Sequence, residues 1–225
     1  MRPSPTASPR ALVVLNGDDV FEAIFPAGEV LQSIGIEAGF LTRQRFGMGF
    51  LLAQPEVAAE ASLFVLYTAR GEFTPPQQDA LSTLVADGRG LVAIHSAAVV
   101  GSIGPELDPE FRTAFELVGH RYRSHGPEPR WSDIRVEVDP RHPVTRGIES
   151  FELFAEHYEL EPASEPGRVI AWRGTARGPE PIVTAREHGA GRVVYVQLGH
   201  DVRALGHPGF AGIVRNAMTW AAGRD

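Results

Sequence analysis

Three short apolar runs dominate what this 225-residue chain can fold into. Ala11–Leu15 (ALVVL), Ser62–Tyr67 (SLFVLY) and Gly90–His95 (GLVAIH) lack internal polar alternation, so each reads as a strand buried on both faces. Helical spacing fills the stretches between them. Val30, Leu31, Ile34 and Ala38 share a face before Gly39. Thr74-Pro75-Pro76 opens a second helix, since threonine caps and proline is tolerated at the first helical position. Ala80, Leu81, Leu84 and Val85 give that helix its buried face, and Asp87-Gly88 ends it. Phe40–Thr42 reads as a further short strand. Strands alternating with helices imply parallel pairing under helices on both faces, which predicts an α/β chain with a doubly wound, mostly parallel sheet.

The second half changes character. Pro109–Val118 reads as a helix, Ile134–Val138 as a half-exposed strand, and Phe210–Ala222 as a closing helix. Val169–Trp172, Pro181–Ala185 and Arg192–Leu198 are strands with Gly- and Pro-rich links and no helix between them. Antiparallel strands are therefore expected at one edge of the sheet. The first ten residues, MRPSPTASPR, are expected to be a disordered tail, with 11–225 forming one domain.

Composition narrows the chemistry. The formal net charge of −7 gives no general footprint for DNA or RNA, and no basic cluster suits anionic lipid. No apolar leader or bilayer-length run is present, so a cytoplasmic protein is expected. The chain has no cysteine, which excludes disulfides, thiolate metal sites and a cysteine nucleophile. It also has no lysine, which removes Schiff-base chemistry and a P-loop phosphate ligand.

In open parallel sheets, ligands bind outside the carboxyl ends of the strands. Three such ends carry polar residues: Asn16-Gly17-Asp18, His95-Ser96 and Gly199-His200-Asp201. His95 stands at a strand–turn junction, with five mostly apolar residues before it and small residues after it. Position alone leaves open whether it is functional or a core histidine satisfied by backbone. A second histidine at a late strand end, His200, favours a shared site. No His-Glu-x-x-His motif and no G-x-G-x-x-G between first strand and helix is present, so any metal site must be assembled from distant strands.

The stretch Asp87–Ala97 (DGRGLVAIHSA), the stretch His142–Ile148 (HPVTRGI) leading to Glu156-His157-Tyr158, and the late GRVVYVQLGHD with its NAMTWAAG helix resemble the ThuA-like, trehalose-utilisation family. The resemblance runs from about Ala11 to Gly223. It implies a class I glutamine amidotransferase-like, flavodoxin-like fold. In true amidotransferases a cysteine occupies the elbow where His95 stands here, and the segment VQLGHD resembles the region of their catalytic histidine. Thioester chemistry is excluded without cysteine. The family's Gly-Gly-x-Phe-x-x-His segment reads Gly119-His120-Arg121-Tyr122-Arg123-Ser124-His125 here, which points to His125, and its Asp-Glu-x-Tyr reads Ala155-Glu156-His157-Tyr158.

The expectation is an enzyme of trehalose or keto-sugar catabolism with a small-molecule sugar substrate. His95, Glu156 and His200 are the candidate catalytic residues. Asn16, Asp18, Ser96, His125, Tyr158 and Asp201 are candidate substrate contacts. His95, His125, Glu156 and His200 could instead ligate a divalent metal such as zinc, while in a second version a histidine acts directly as base. The alternative is a non-catalytic sugar-binding or regulatory protein, with Trp131, Tyr158 and Trp172 as aromatic platforms. A serine hydrolase using Ser96 lacks the Gly-x-Ser-x-Gly elbow. Whether the chain forms a homo-oligomer is left open.

Overall fold

The apolar runs do become doubly buried strands. The computed structural model describes residues 8–18, 20, 22–99, 106–127 and 129–224. In chain order its first half holds β1 (Arg10–Gly17), α1 (Ile24–Glu37), β2 (Leu41–Phe46), the short α2 (Phe50–Ala53) and α3 (Pro55–Ala59), β3 (Leu63–Ala69), α4 (Pro75–Ala86) and β4 (Gly90–Ile94). The second half holds α5 (Arg112–Val118), β5 (His120–Ser124), β6 (Trp131–Val138), β7 (Phe151–Glu156), β8 (Glu159–Pro162), β9 (Arg168–Thr175), β10 (Gly178–His188), β11 (Gly191–Val196), α6 (Val202–Leu205) and α7 (Pro208–Ala221).

Nine strands form one sheet in the order β2-β1-β3-β4-β11-β10-β9-β6-β7, and β5 pairs with β8 in a separate ribbon. Neighbours from β2 to β11 are parallel, and β10, β9, β6 and β7 extend the sheet antiparallel on one side. The expected α/β architecture with an antiparallel edge is the observed one.

Alternation along each strand divides the core between two faces. Val13, Leu15, Val65, Tyr67, Val92, Ile94, Val194 and Val196 pack with α1 and α7 on one side. Leu12, Val14, Phe64, Leu66, Leu91, Ala93, Val193 and Tyr195 pack with α4 and α5 on the other. The predicted start of α4 is a capping box: the Thr74 hydroxyl accepts from the third helical N–H, and the Gln77 side chain accepts from the Thr74 N–H.

Several boundaries differ from the sequence expectation. Residues 1–7 of the expected tail lie outside the described residues, but Arg10 is already the first residue of β1, paired with Leu41. Asn16 and Gly17, read as turn residues, belong to β1, because β3 runs on to pair Thr68 and Ala69 beside them. β2 starts one residue later than expected and ends at Phe46. The strands β5, β7 and β8 were not expected, because runs such as HRYRS show no apolar periodicity. Among the described residues, no helix is long and apolar enough to cross a membrane.

Candidate functional site

His95 is the first residue beyond β4, and its φ of 48° lies in the left-handed region, which is uncommon for a side chain larger than glycine. Its neighbours hold it there. The Tyr195 hydroxyl donates to the His95 carbonyl at 3.0 Å. The Ser96 hydroxyl donates to the Thr68 carbonyl, and the Thr68 hydroxyl returns a bond to the Ser96 carbonyl at 3.0 Å. The junction therefore aims a fully buried imidazole along the carboxyl ends of the parallel strands.

The His95 ring is oriented from both sides. Its Nδ1 lies 2.6 Å from the backbone carbonyl oxygen of Gln197, just past β11. A carbonyl only accepts, so Nδ1 carries the proton. The other ring nitrogen, Nε2, faces Glu156 Oε2 at 2.8 Å, His200 Nδ1 at 3.3 Å and the Tyr158 hydroxyl at 2.7 Å. Tyr158 also stacks on the His95 ring, with centroids 4.3 Å apart.

Three further donors converge on the same point. Glu156 ends β7 and is fully buried; its Oε1 is held by the Arg130 side chain, which leaves Oε2 directed at the histidines. His200 follows β11, and its Nδ1 lies 2.7 Å from Glu156 Oε2 and 3.2 Å from Glu22 Oε2. Glu22, buried between β1 and α1, brings Oε1 to 3.8 Å from His95 Nε2. One ligand atom from each of Glu22, His95, Glu156 and His200 lies within 4.8 Å of all the others. The Tyr67 hydroxyl braces this arrangement, within reach of the Gly199 and His200 carbonyls at 3.0 and 2.9 Å and of Glu22 Oε2 at 3.4 Å.

The surroundings pull the charges apart. Burial pushes the Glu22 carboxyl above its ordinary value despite the nearby histidines. Burial acts the same way on Glu156, but hydrogen bonds with His200 and His95 outweigh it and hold the group well below the usual carboxylate range. Burial opposes charging of His200, and the Glu156 hydrogen bond with the Glu22 charge outweighs that, raising it.

A cavity of about 260 Å³ opens above the cluster, lined by Glu22, Glu156, Tyr158, Ser96, His125, Tyr122, Arg70 and Arg130 among others. Of the residues singled out from sequence, His95, Glu156 and His200 meet at one centre, and Ser96, His125 and Tyr158 surround it. His125 sits just beyond β5, donates from Nδ1 to the His157 carbonyl at 2.9 Å, and places Nε2 3.7 Å from Glu156 Oε1. It lines the cavity, and Glu22 takes the place in the four-donor cluster expected of it. The Ser96 hydroxyl proton is engaged by the Thr68 carbonyl.

Asn16, Asp18 and Asp201 have other partners. Asn16 is buried and donates to the Glu72 carbonyl at 3.2 Å, which ties β1 to the segment after β3. Exposed Asp18 accepts from the Val20 N–H at 3.1 Å. Asp201 caps α6 by accepting from the Arg203 and Ala204 N–H groups, and it pairs with the Arg203 side chain. Sequence reasoning missed Glu22, Tyr67, Arg130 and Gln197. For Glu22 the available signal was its place shortly after the carboxyl end of β1.

The family model described as ThuA, trehalose utilisation, matches residues 10–221. The chain belongs to the ThuA family. Among solved structures, a ThuA-like protein from Bacteroides uniformis is 18% identical, with a TM-score of 0.75 over 98% of this chain and 95% of that one. One from Parabacteroides merdae is 17% identical, with a TM-score of 0.74 over 96% and 90%. A protein described as cytoplasmic, from Salmonella typhimurium, is 12% identical, with a TM-score of 0.63 over 94% and 98%. These likenesses establish the shared ThuA-like fold. No match was found among curated proteins.

Proposed function

We propose that this ThuA-family chain is a metal-assisted enzyme of carbohydrate catabolism, a hydrolase or lyase that takes a small sugar derivative such as a keto-sugar. The observation that carries the reading is the convergence of two imidazoles and two carboxylates beneath one cavity.

The donor set fits a divalent cation. With Nδ1 donating to a backbone carbonyl, His95 Nε2 stands 2.8 Å from a carboxylate oxygen, and a cation or a proton must lie between them. A ring nitrogen whose partner donates to a backbone carbonyl is the usual outer support of a metal-ligating histidine. Ion-pair distances within the cluster run from 2.7 to 3.8 Å, and one donor atom from each residue lies within 4.8 Å of the others, against roughly 3.3 Å between neighbouring ligands of tetrahedral zinc. Two buried carboxylates also need positive charge, and nitrogen with oxygen donors suits zinc or another borderline divalent ion.

Glu22, His95, Glu156 and His200 would hold the ion. Bound there, it would supply a Lewis acid for a carbonyl oxygen or lower the pKa of a water. The protein's own groups do the rest. Arg130 fixes Glu156, Gln197 fixes the His95 ring, and Tyr158 presents a phenol 2.7 Å from His95 Nε2. His125 and Tyr122 offer hydrogen-bonding partners to sugar hydroxyls along the wall. A keto-sugar suits this arrangement because proton abstraction beside a carbonyl needs a base and an electrophile. The ThuA description supports carbohydrate as the substrate class, and two Salmonella proteins of similar fold, described as cytoplasmic, support that location.

Elemental analysis of the purified chain, before and after chelation and zinc readdition, together with NMR of sugar mixtures, tests this reading. The expected result is one divalent ion per chain, lost in His95→Ala and His200→Ala, with sugar consumed only by the loaded protein. Turnover by a metal-free chain would show that the histidines act directly as bases. Sugar bound unchanged by a metal-free chain would show a binding protein.

A further inference from the structure

One face of β6 and β7 continues outward from the four-donor cluster. Trp131 is in register with Glu156 across this antiparallel pair, and Phe154 precedes Glu156 by two residues. All three side chains therefore stand on one face of the ribbon. Glu156 is buried at the cluster, whereas Phe154 is 50% exposed. The Trp131 and Phe154 rings stack with centroids 6.0 Å apart and planes 18° apart. Trp131 meets the His200 ring edge-on at 5.0 Å, and the Arg203 guanidinium lies 5.6 Å from the indole centroid, anchored by Asp201. Neither Trp131 nor Phe154 belongs to the buried clusters on the two faces of the sheet.

We propose that Trp131 and Phe154 form a sugar subsite beside the cluster, taking the second pyranose ring of a disaccharide or glycoside whose first ring enters the cavity. The proposal rests on the carbohydrate part of the reading above and not on its metal. A pyranose has a face of C–H groups and a rim of hydroxyls. Aromatic faces carry negative potential that attracts such C–H groups, while the rim needs polar partners. Arg203 supplies donors over Trp131, and exposed Asp133, in register with Phe154, supplies acceptors. The cavity of about 260 Å³ is small beside the roughly 300–1,000 Å³ of pockets that enclose a drug-sized ligand, which suits one ring inside and one outside. The aromatic pair adjoins the cavity through two of its lining residues, Arg130, which precedes Trp131, and Glu156, in register with it.

Calorimetric titration of trehalose and of glucose into the wild type, Trp131→Ala, Trp131→Phe and Phe154→Ala, with zinc content and sedimentation measured for each, tests the subsite. Trehalose affinity should fall about tenfold or more in both alanine variants and recover in Trp131→Phe. Glucose affinity and zinc content should not change. Phe154→Ala keeps the test meaningful if Trp131→Ala folds poorly. Equal losses for glucose and trehalose, no loss in either alanine variant, or a wild type that binds neither sugar would overturn the proposal. A dimer dissolved by the alanine substitutions, with sugar binding intact, would overturn it in favour of a second copy on this face. A zinc-free wild type that still shows the selective trehalose loss would uphold the subsite and remove the metal reading.

Discussion

The backbone carbonyl of Gln197 stands 2.6 Å from Nδ1 of His95, so one strand end fixes the tautomer of an imidazole on its neighbour. Because the acceptor is backbone, side-chain substitution at 197 does not remove it. Long-range nitrogen NMR of the zinc-loaded protein should show His95 protonated at Nδ1 and ligated at Nε2. A doubly protonated ring under those conditions would mean that Glu156 faces an imidazolium and that the centre holds a proton.

The Gln197 side chain carries a separate task. Fully buried, it donates to the Tyr158 and Pro181 carbonyls at 3.0 and 2.9 Å and accepts from the Tyr158 N–H at 3.3 Å. Gln197→Ala removes these three buried hydrogen bonds, and a loss of about 3 kcal/mol is expected in urea unfolding. A loss below about 0.5 kcal/mol would show that water or repacking replaces the side chain.

Ser96→Ala separates a structural hydroxyl from a nucleophile. Its hydroxyl donates to the Thr68 carbonyl, so removal should cost about 1–2 kcal/mol of stability and leave metal content and sugar turnover in place. Abolished turnover in a stably folded, metal-loaded Ser96→Ala protein would restore the serine mechanism.

Acid stability should carry the signature of His120. Burial lowers its pKa to about 4, with the Thr184 hydroxyl 3.1 Å from Nε2. The unfolded chain takes up this proton near pH 6.5, the folded chain only near 4. Between those values the unfolded state binds more protons, so stability is full above about 6.5 and falls as pH drops toward 4, by on the order of 3 kcal/mol. In His120→Gln this part of the slope should flatten, as read from urea midpoints at pH 7, 5.5 and 4.5. An unchanged slope would assign the acid sensitivity to other groups.

The legible half of this protein is the half built from local signals. β4 announces itself through an unbroken apolar run, and His95 through standing at its end before small residues. The same logic found His200 after β11. Glu156 and His125 were reached through resemblance to the family, because β7 is only partly apolar and β5 is polar; each becomes a strand through a partner distant in sequence. Glu22 lies in a segment without periodicity, so its arrival beside His95 depends on how β1 and α1 pack. Asn16 and Asp18 stood out from the same junction because polar residues at a strand end look alike in sequence. Burial and partner choice separate them: Asn16 turns to the Glu72 carbonyl and Asp18 to a backbone N–H.

The four-donor cluster also predicts an order of severity. Glu22→Gln removes a charged ligand and should weaken zinc binding by about 100-fold or more, while His125→Ala, at the cavity wall, should leave zinc content unchanged and weaken sugar binding. Competition with a chromophoric chelator measures the first, and titration calorimetry the second. Equal zinc loss in both would return His125 to the ligand set.

The most direct test is an anomalous difference map collected at the zinc edge from crystals of the chain grown with zinc. A single strong peak is expected about 2.0–2.3 Å from Glu22, His95, Glu156 and His200 donor atoms together. An empty centre, with His95 Nε2 bonded only to Glu156 and Tyr158, would contradict it.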